Sequence, residues 1–420
     1  MPALPADPTA AREFAFEVVA KLRQADFEAV WAGGCVRDEL LGHTPADYDV
    51  ATSATPSQVR ELFGQRRTLA IGAAFGVITV LGPRGAGQVE VATFRTDAAY
   101  TDGRHPAGVT FCSAREDALR RDFTINGLFF DPLAGEVIDY VGGQKDLTAG
   151  IIRAIGVASM RFGEDHLRIL RAVRFSAGFD FPLERETHQA VESMAHLVDS
   201  VSPERIAAEL RTMFSRPGRG RAMSLLVETG LIAPVFHEFS ASEATFWQTV
   251  AATIDALDEP GLPLALAVLC NGNLAAVERI SKRLRLSNQE HKLAAWLVEA
   301  VAAIGTGSSV AELERRPWST LQPWLGHSWR FQLADLLRAS AVIVGAGGEA
   351  AAWISQKAAR PLAELAPPDL LSGNDLLACG VPPGPMVGQF LKKLRASQLD
   401  GQVTSREEAL QTMKAWLASN

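Results

Sequence analysis

The chain has 420 residues, 47% hydrophobic and 21% charged, with a net charge of −7. That length leaves room for two or more domains with proper cores, and the acidic balance argues against a general nucleic-acid binder. No apolar run reaches the roughly 18 residues of a membrane span. The N-terminus, MPALPADPTAAREFAFEVVAKL, lacks the basic start and apolar stretch of a signal peptide and reads as a short disordered lead into a helix. Cys35, Cys112, Cys270 and Cys379 lie far apart and make no CxxC pair. They fit the reduced thiols of a cytoplasmic protein, not a disulfide frame or a zinc site.

In chain order, residues 10–25 read as an amphipathic helix. A glycine pair, Gly33-Gly34, follows an apolar residue and precedes a helical stretch. PADYDV (45–50) alternates as a strand does, which puts Asp47 and Asp49 on one face. FGVITVLG (75–82), QVEVATF (88–94) and GEVIDYVGG (135–143) read as further strands bounded by glycines. Beyond residue 151 strand signals nearly vanish, and Leu/Ala/Arg stretches of helical spacing are broken at 215–220, 258–263, 305–309 and 366–374. The expectation is an α+β head at 1–150, then an all-α neck (151–215), body (216–325) and tail (326–420). The sequence has no P-loop, and VGAGGEAAAW (344–353) is GxGG, read as an interhelical turn. Charge is uneven. Residues 153–221 carry 11 arginines, no lysine and 9 carboxylates, a surplus of +2 against −6 before and −3 after, so an anionic partner belongs there first.

Two aspartates on one strand face repel unless a cation lies between them, and oxygen ligands on a rigid scaffold suit Mg²⁺. Glycines opening a helix let backbone N–H groups approach a triphosphate closely. WAGGCVRDELLGHTPADYDVATSATP (31–56) joins both features, with twelve residues between Gly34 and Asp47. It resembles the polymerase-β-like nucleotidyltransferases, and within them the class II tRNA nucleotidyltransferases (CCA-adding enzymes) and bacterial poly(A) polymerases. The pattern GGxVRDxLLGxxPxDxDxxT includes Arg37 and Asp38. The resemblance implies a nucleotidyltransferase head in which Asp47 and Asp49 hold Mg²⁺ and Gly33, Gly34 and Arg37 cradle the triphosphate. Glu90 is either a third carboxylate or an ordinary edge-strand glutamate. In RRDFTINGLFFDP (120–132), Arg121 is implied to pair with phosphate and Asp122 to accept from a ribose 2′-OH. Asn126, and Arg171 further on, are implied as additional nucleotide contacts. Gly127 stands where the family commonly has alanine and is expected to matter only for packing.

RFGEDHLRILRAVRFSAGF (161–179) reads as one helix burying Leu167, Leu170 and Val173, with Asp165 and Arg168 at i and i+3 on a neighbouring face. By itself that is an intrahelical ion pair. By resemblance it is the family's EDxxR motif, in which the Asp and Arg read the incoming base. Cytosine and adenine each offer an amino donor beside a ring-nitrogen acceptor, which a carboxylate beside a guanidinium complements; uracil and guanine reverse the polarity. SPERIAAELRTMF (202–214) resembles the last family block, with Ser202 as N-cap and Arg205 and Glu209 buttressing the neck. The resemblance is strong over 30–290 and faint beyond. It implies template-independent addition of CMP and AMP to the tRNA 3′ end from CTP and ATP, by a monomer or homodimer with no membrane attachment. A partial-CCA enzyme or poly(A) polymerase is the nearest alternative, against which stand the DGRHP loop and the lack of a basic tail. A silent RNA-binding protein on the same fold is the alternative outside enzymes.

Overall fold

The computed structural model describes residues 7–97, 109–305 and 307–418. The chain divides into two compact units, Met1–Met213 with Arg221–Ala241, and Phe214–Gly220 with Ser242–Asn420.

The first unit begins with α1 (Pro8–Gln24). Asp7 caps it, its side chain accepting from the Ala10 N–H at 2.9 Å, and Pro8 sits in the first turn. Phe14, Ala15, Val18, Val19 and Leu22 form its buried stripe. Phe14 and Leu22 alone contribute roughly 3–6 kcal/mol of transfer free energy. This stripe lies on β1 (Ala29–Ala32), β2 (Asp49–Thr52) and β5 (Gln88–Thr93) of a seven-stranded sheet ordered β3-β4-β5-β2-β1-β8-β9. The other strands are β3 (Thr68–Leu69), β4 (Val77–Leu81), β8 (Leu128–Asp131) and β9 (Glu136–Asp139), and β6 (Arg95–Asp97) and β7 (Val109–Phe111) pair separately. Only β2 and β5 run parallel; the remaining ladders are antiparallel. In β4 and β5 every second residue is buried, while β1, in the middle, is buried at all four positions.

Short helices link the strands: α2 (Gly34–Leu40), α3 (Pro56–Phe63), α4 (Ala114–Leu119) and α5 (Gly143–Ala149). Capping boxes start α3 at Thr55/Gln58 and α4 at Ser113/Glu116. Val30, Ala32, Ala51, Phe94, Ala114, Ala118 and Phe129 form a core cluster between sheet and α4. After β9 the chain is helical: α6 (Ala158–Glu164), α7 (Leu167–Phe179), α8 (Arg185–Met194) and α9 (Pro203–Phe214). The α+β head followed by helices matches the sequence expectation.

The second unit is helical throughout its described residues, and its helices stop near the breaks read from sequence. Helices Asn288–Ile304 and Val310–Arg315 flank 305–309, and Leu362–Leu365 and Gly373–Ala378 flank 366–374. The GxGG stretch is an interhelical turn as expected: Gly345 ends helix Arg330–Val344 and Gly347 caps Gly348–Ala358, both at positive φ. A separate cluster around Leu376, Phe390, Leu394, Ala409 and Met413 holds the last helices together.

Candidate functional site

The strand of the carboxylate pair starts later than the alternation suggests. β2 begins at Asp49, and Asp47 is exposed in the bend before it. The reason lies in its neighbour. Trp31 pairs with Val50, and beyond Ala32 the chain turns at Gly33 into α2, so β1 offers Asp47 no partner. Asp49 lies beside Glu90 in the parallel β2–β5 ladder, and side chains in register on neighbouring strands share a face. β5 is interior to the sheet, between β4 and β2, so Glu90 is not an edge-strand residue. Burial, with the charges of Asp47 and Glu90, pushes the Asp49 carboxyl up to about 7, against the opposing pull of Arg121. A carboxylate driven to hold a proton beside two others fits a hard divalent cation that would take the proton's place. Among the described residues, no three His, Cys, Asp or Glu side chains are already gathered as a metal cage. The Asp47–Asp49 pair, with Glu90 beside Asp49 on the neighbouring strand, is the candidate donor set.

Gly33 joins β1 to α2 at φ +73, ψ −121, a backbone conformation that favours glycine. An added Cβ would stand 2.8 Å from Nη1 of Arg121, which overhangs the turn. Arg121 donates to Asp117 Oδ2 at 3.0 Å and to the Asn126 carbonyl at 3.3 Å, and lies over the Phe129 ring. Burial raises the Asp117 carboxyl, but the charges of Arg121 and Arg120 outweigh it and hold it below the usual carboxylate range. Arg37 is buried, 7% exposed, with Nη1 donating to Asn126 Oδ1 at 2.5 Å and Nε to Asp38 at 2.9 Å. Gly127 packs tightly as expected: a Cβ there would lie 2.7 Å from Val141 Cγ2.

Asp122 is the hub of a buried network within the first unit. Its Oδ1 accepts from the Phe123 N–H at 2.8 Å and from Asn126 Nδ2 at 3.0 Å. Its Oδ2 accepts from Arg171 Nε at 2.7 Å, with Nη2 in ion-pair contact at 2.6 Å. Three hydrogen bonds and the ion pair engage both carboxylate oxygens. Burial alone would raise this group, yet the Arg171 charge and these hydrogen bonds bring it down to about 2. Arg171 also faces Glu209 at 3.7 Å, and Arg174 binds the other oxygen of Glu209 at 2.5 Å. Arg37, Arg171 and Arg174 all lie over the Phe175 ring, at 5.5, 5.2 and 4.0 Å from its centroid.

The 161–179 stretch is two helices, not one. Asp165 is extended (φ −145, ψ 106) between α6 and α7, and its Oδ1 accepts from the Leu167 N–H at 3.1 Å. A short acceptor that serves the next helix's first N–H groups breaks the run, which helical spacing alone does not reveal. Asp165 and Arg168 consequently have different partners. Asp165 Oδ2 meets Arg205 at 2.7 Å. Arg168 donates to Glu164 at 2.5 Å, to the Arg161 carbonyl at 2.9 Å and to the Arg120 carbonyl at 3.1 Å. Arg205 and Glu209, read as buttresses, reach back from α9 to Asp165 and to Arg171 and Arg174. Glu164 and Arg174 were missed. The signal was there: Arg168, Arg171 and Arg174 recur every third residue along one helical face. Several arginines of the 153–221 segment are engaged in ion pairs of this kind. DGRHP (102–106) and the N-terminal lead, residues 1–6, lie outside the described residues.

Three family models match the chain. The "Poly A polymerase head domain" covers 29–153, the "Probable RNA and SrmB- binding site of polymerase A" covers 180–242, and a tRNA nucleotidyltransferase domain 2 covers 263–413. A CCA-adding enzyme of Lactobacillus johnsonii is 33% identical over 404 residues, 94% of this chain and 95% of its own. That of Lactiplantibacillus plantarum is 33% identical over 422 residues, 97% and 96% of the two chains. The crystal structure of the Bacillus stearothermophilus CCA-adding enzyme in complex with CTP is similar with a TM-score of 0.79 and 28% identity, covering 97% of this chain and 98% of that one.

Proposed function

The chain belongs to the CCA-adding enzyme family, and from that premise we propose that it adds CMP and AMP to tRNA 3′ ends without a nucleic-acid template, using CTP and ATP and releasing pyrophosphate. The observation that carries this reading is the extent of the likeness: one-third identity runs through head and helical remainder alike, over nearly the full length of both chains. The 3′-hydroxyl of tRNA attacks the α-phosphorus, a P–O bond forms, and the bond to the β-phosphate oxygen breaks. Asp47 and Asp49, with Glu90 beside them, hold the divalent cation, Mg²⁺ by the chemistry of an all-carboxylate set. A cation held by these carboxylates would supply the positive charge that lowers the pKa of the 3′-hydroxyl and offsets the negative charge of the leaving pyrophosphate.

The chain's own side chains do the rest. Gly33 and Gly34, backed by Arg37, give the triphosphate a close backbone approach, and Arg121 supplies a phosphate-pairing guanidinium above the turn. Asp122, held by Asn126 and Arg171, reads the ribose hydroxyl by exchanging one of its present donors for it. Asp165 and Arg168 read the base, each giving up one of its present partners for the base edge. A misplaced uracil or guanine leaves both groups facing like polarity, at a cost of several kcal/mol. The site of action is the cytoplasm, where tRNA is matured. The test supplies transcripts lacking their last one, two or three nucleotides, with each labelled NTP in turn. Addition of C, C and A in order, stopping at the complete end, is the expected result. Unlimited A-tailing points to poly(A) polymerase, and A alone to a partial enzyme.

A further inference from the structure

The residue between the two aspartates is held at both its ring and its hydroxyl. The Tyr48 ring packs on Trp31 with centroids 4.9 Å apart, and its hydroxyl donates to Glu39 Oε1 at 2.7 Å. The same oxygen accepts from Arg12 Nε at 2.8 Å, and the Arg12 guanidinium lies over Trp31, 5.0 Å from the ring centroid. Tyr48 is buried while Asp47 is exposed and Asp49 half-buried. Asp47 precedes the first ladder pair of β2, so sheet hydrogen bonding does not fix its backbone. Glu39 belongs to α2, the helix opened by Gly33-Gly34, and Arg12 to α1.

We propose that Tyr48 and Glu39 are positioning residues for the carboxylate pair: the Tyr48 hydroxyl, held on Glu39, fixes the backbone between Asp47 and Asp49 and thereby the separation of the two metal-binding carboxylates. Arg12 completes the clamp by orienting Glu39. The inference rests on the reading that Asp47 and Asp49 bind a divalent cation. It adds that their geometry is set by the intervening Tyr48, through α2, so that the metal site and the triphosphate turn are held in one register. Groups that support ligands from behind typically affect metal affinity by about 10–100-fold. Tyr48 acts on the ligands through one intervening backbone, so the lower end of that range is expected here.

The test is Mn²⁺ binding to the nucleotide-free full-length protein, followed by the free-ion EPR signal, with melting temperature as a fold check. Asp49→Asn defines the binding event; if its Mn²⁺ binding equals that of the parent, the metal reading itself fails. Tyr48→Phe keeps the ring on Trp31 and removes only the hydroxyl, and about a tenfold weakening is expected. Glu39→Leu should weaken binding equally, whereas Glu39→Gln, which keeps an acceptor for Tyr48, should restore most of it. A merely structural role predicts that Gln and Leu act alike and that affinity follows melting temperature. Parental Mn²⁺ affinity in Tyr48→Phe and Glu39→Leu, alongside loss in Asp49→Asn, overturns the clamp and leaves the metal reading standing. If Tyr48→Phe fails to fold, the Gln–Leu contrast at Glu39 decides.

Discussion

Asp122→Asn removes a charge from the centre of the Arg171 network with almost no change of shape. The carboxyl is brought to about 2 from an ordinary 3.8, a difference of about two pKa units, or roughly 2–3 kcal/mol. The sign follows from the direction. A depressed carboxyl stabilises the fold above its unfolded value near 4, and that stability is lost as pH falls toward 2. The amide adds a second cost. One of its groups is a donor, and both positions face donors already: the Phe123 N–H and Asn126 on one side, Arg171 on the other. That mismatch costs about 1–3 kcal/mol. The expected loss at pH 7 is therefore on the order of 3–5 kcal/mol, shrinking by about 1 kcal/mol at pH 3. Trp31 is the only tryptophan of the first unit and is buried, so urea unfolding read from its 5-fluorotryptophan NMR signal reports on this unit. A loss below about 1 kcal/mol at pH 7, or one equal at pH 3 and pH 7, refutes the argument.

Asp49→Ala should lower turnover by about a hundredfold or more with the far-UV spectrum unchanged; near-parental turnover removes the metal site. Gly33→Ala introduces a side chain at positive φ and a Cβ 2.8 Å from Arg121. It should cost roughly 1–3 kcal/mol and raise the KM for CTP, and an unchanged KM separates the turn from the triphosphate. Asp165→Ala should weaken CTP and ATP use while raising UTP or GTP incorporation, shrinking discrimination by roughly 1–3 kcal/mol. A less stable variant with its CTP/UTP preference intact leaves Asp165 only its bonds to Arg205 and Leu167.

The glycine turn and the α+β-then-α order were legible because each depends on neighbours a few residues apart, whereas the strand read over 45–50 starts only at Asp49. β1 was not: AVWA is buried at every position and offers no alternation to read. The break at Asp165 was hidden because the flanking residues keep helical spacing and only a cap interrupts them. Partners were the least legible. Arg171–Asp122, Arg205–Asp165 and Arg174–Glu209 join positions 49, 40 and 35 residues apart, and a single sequence does not encode which arginine of a helical row meets which distant carboxylate. Glu90 was left open for the same reason, since only the strand order places β5 inside the sheet.

The network joining Arg37, Asn126, Asp122, Arg171 and Glu209 closes only when its last member has been made. Translation at about 5–20 residues per second takes on the order of ten to thirty seconds to run from Arg37 to Glu209. During that interval the glycine turn and the aspartates have left the ribosome while α7 and α9 have not. Asp122, once made, is a charged group whose counter-charge, Arg171, does not yet exist. A nascent head of this kind should be loosely packed and unable to hold a nucleotide, and its competence should arrive in one step as α9 emerges.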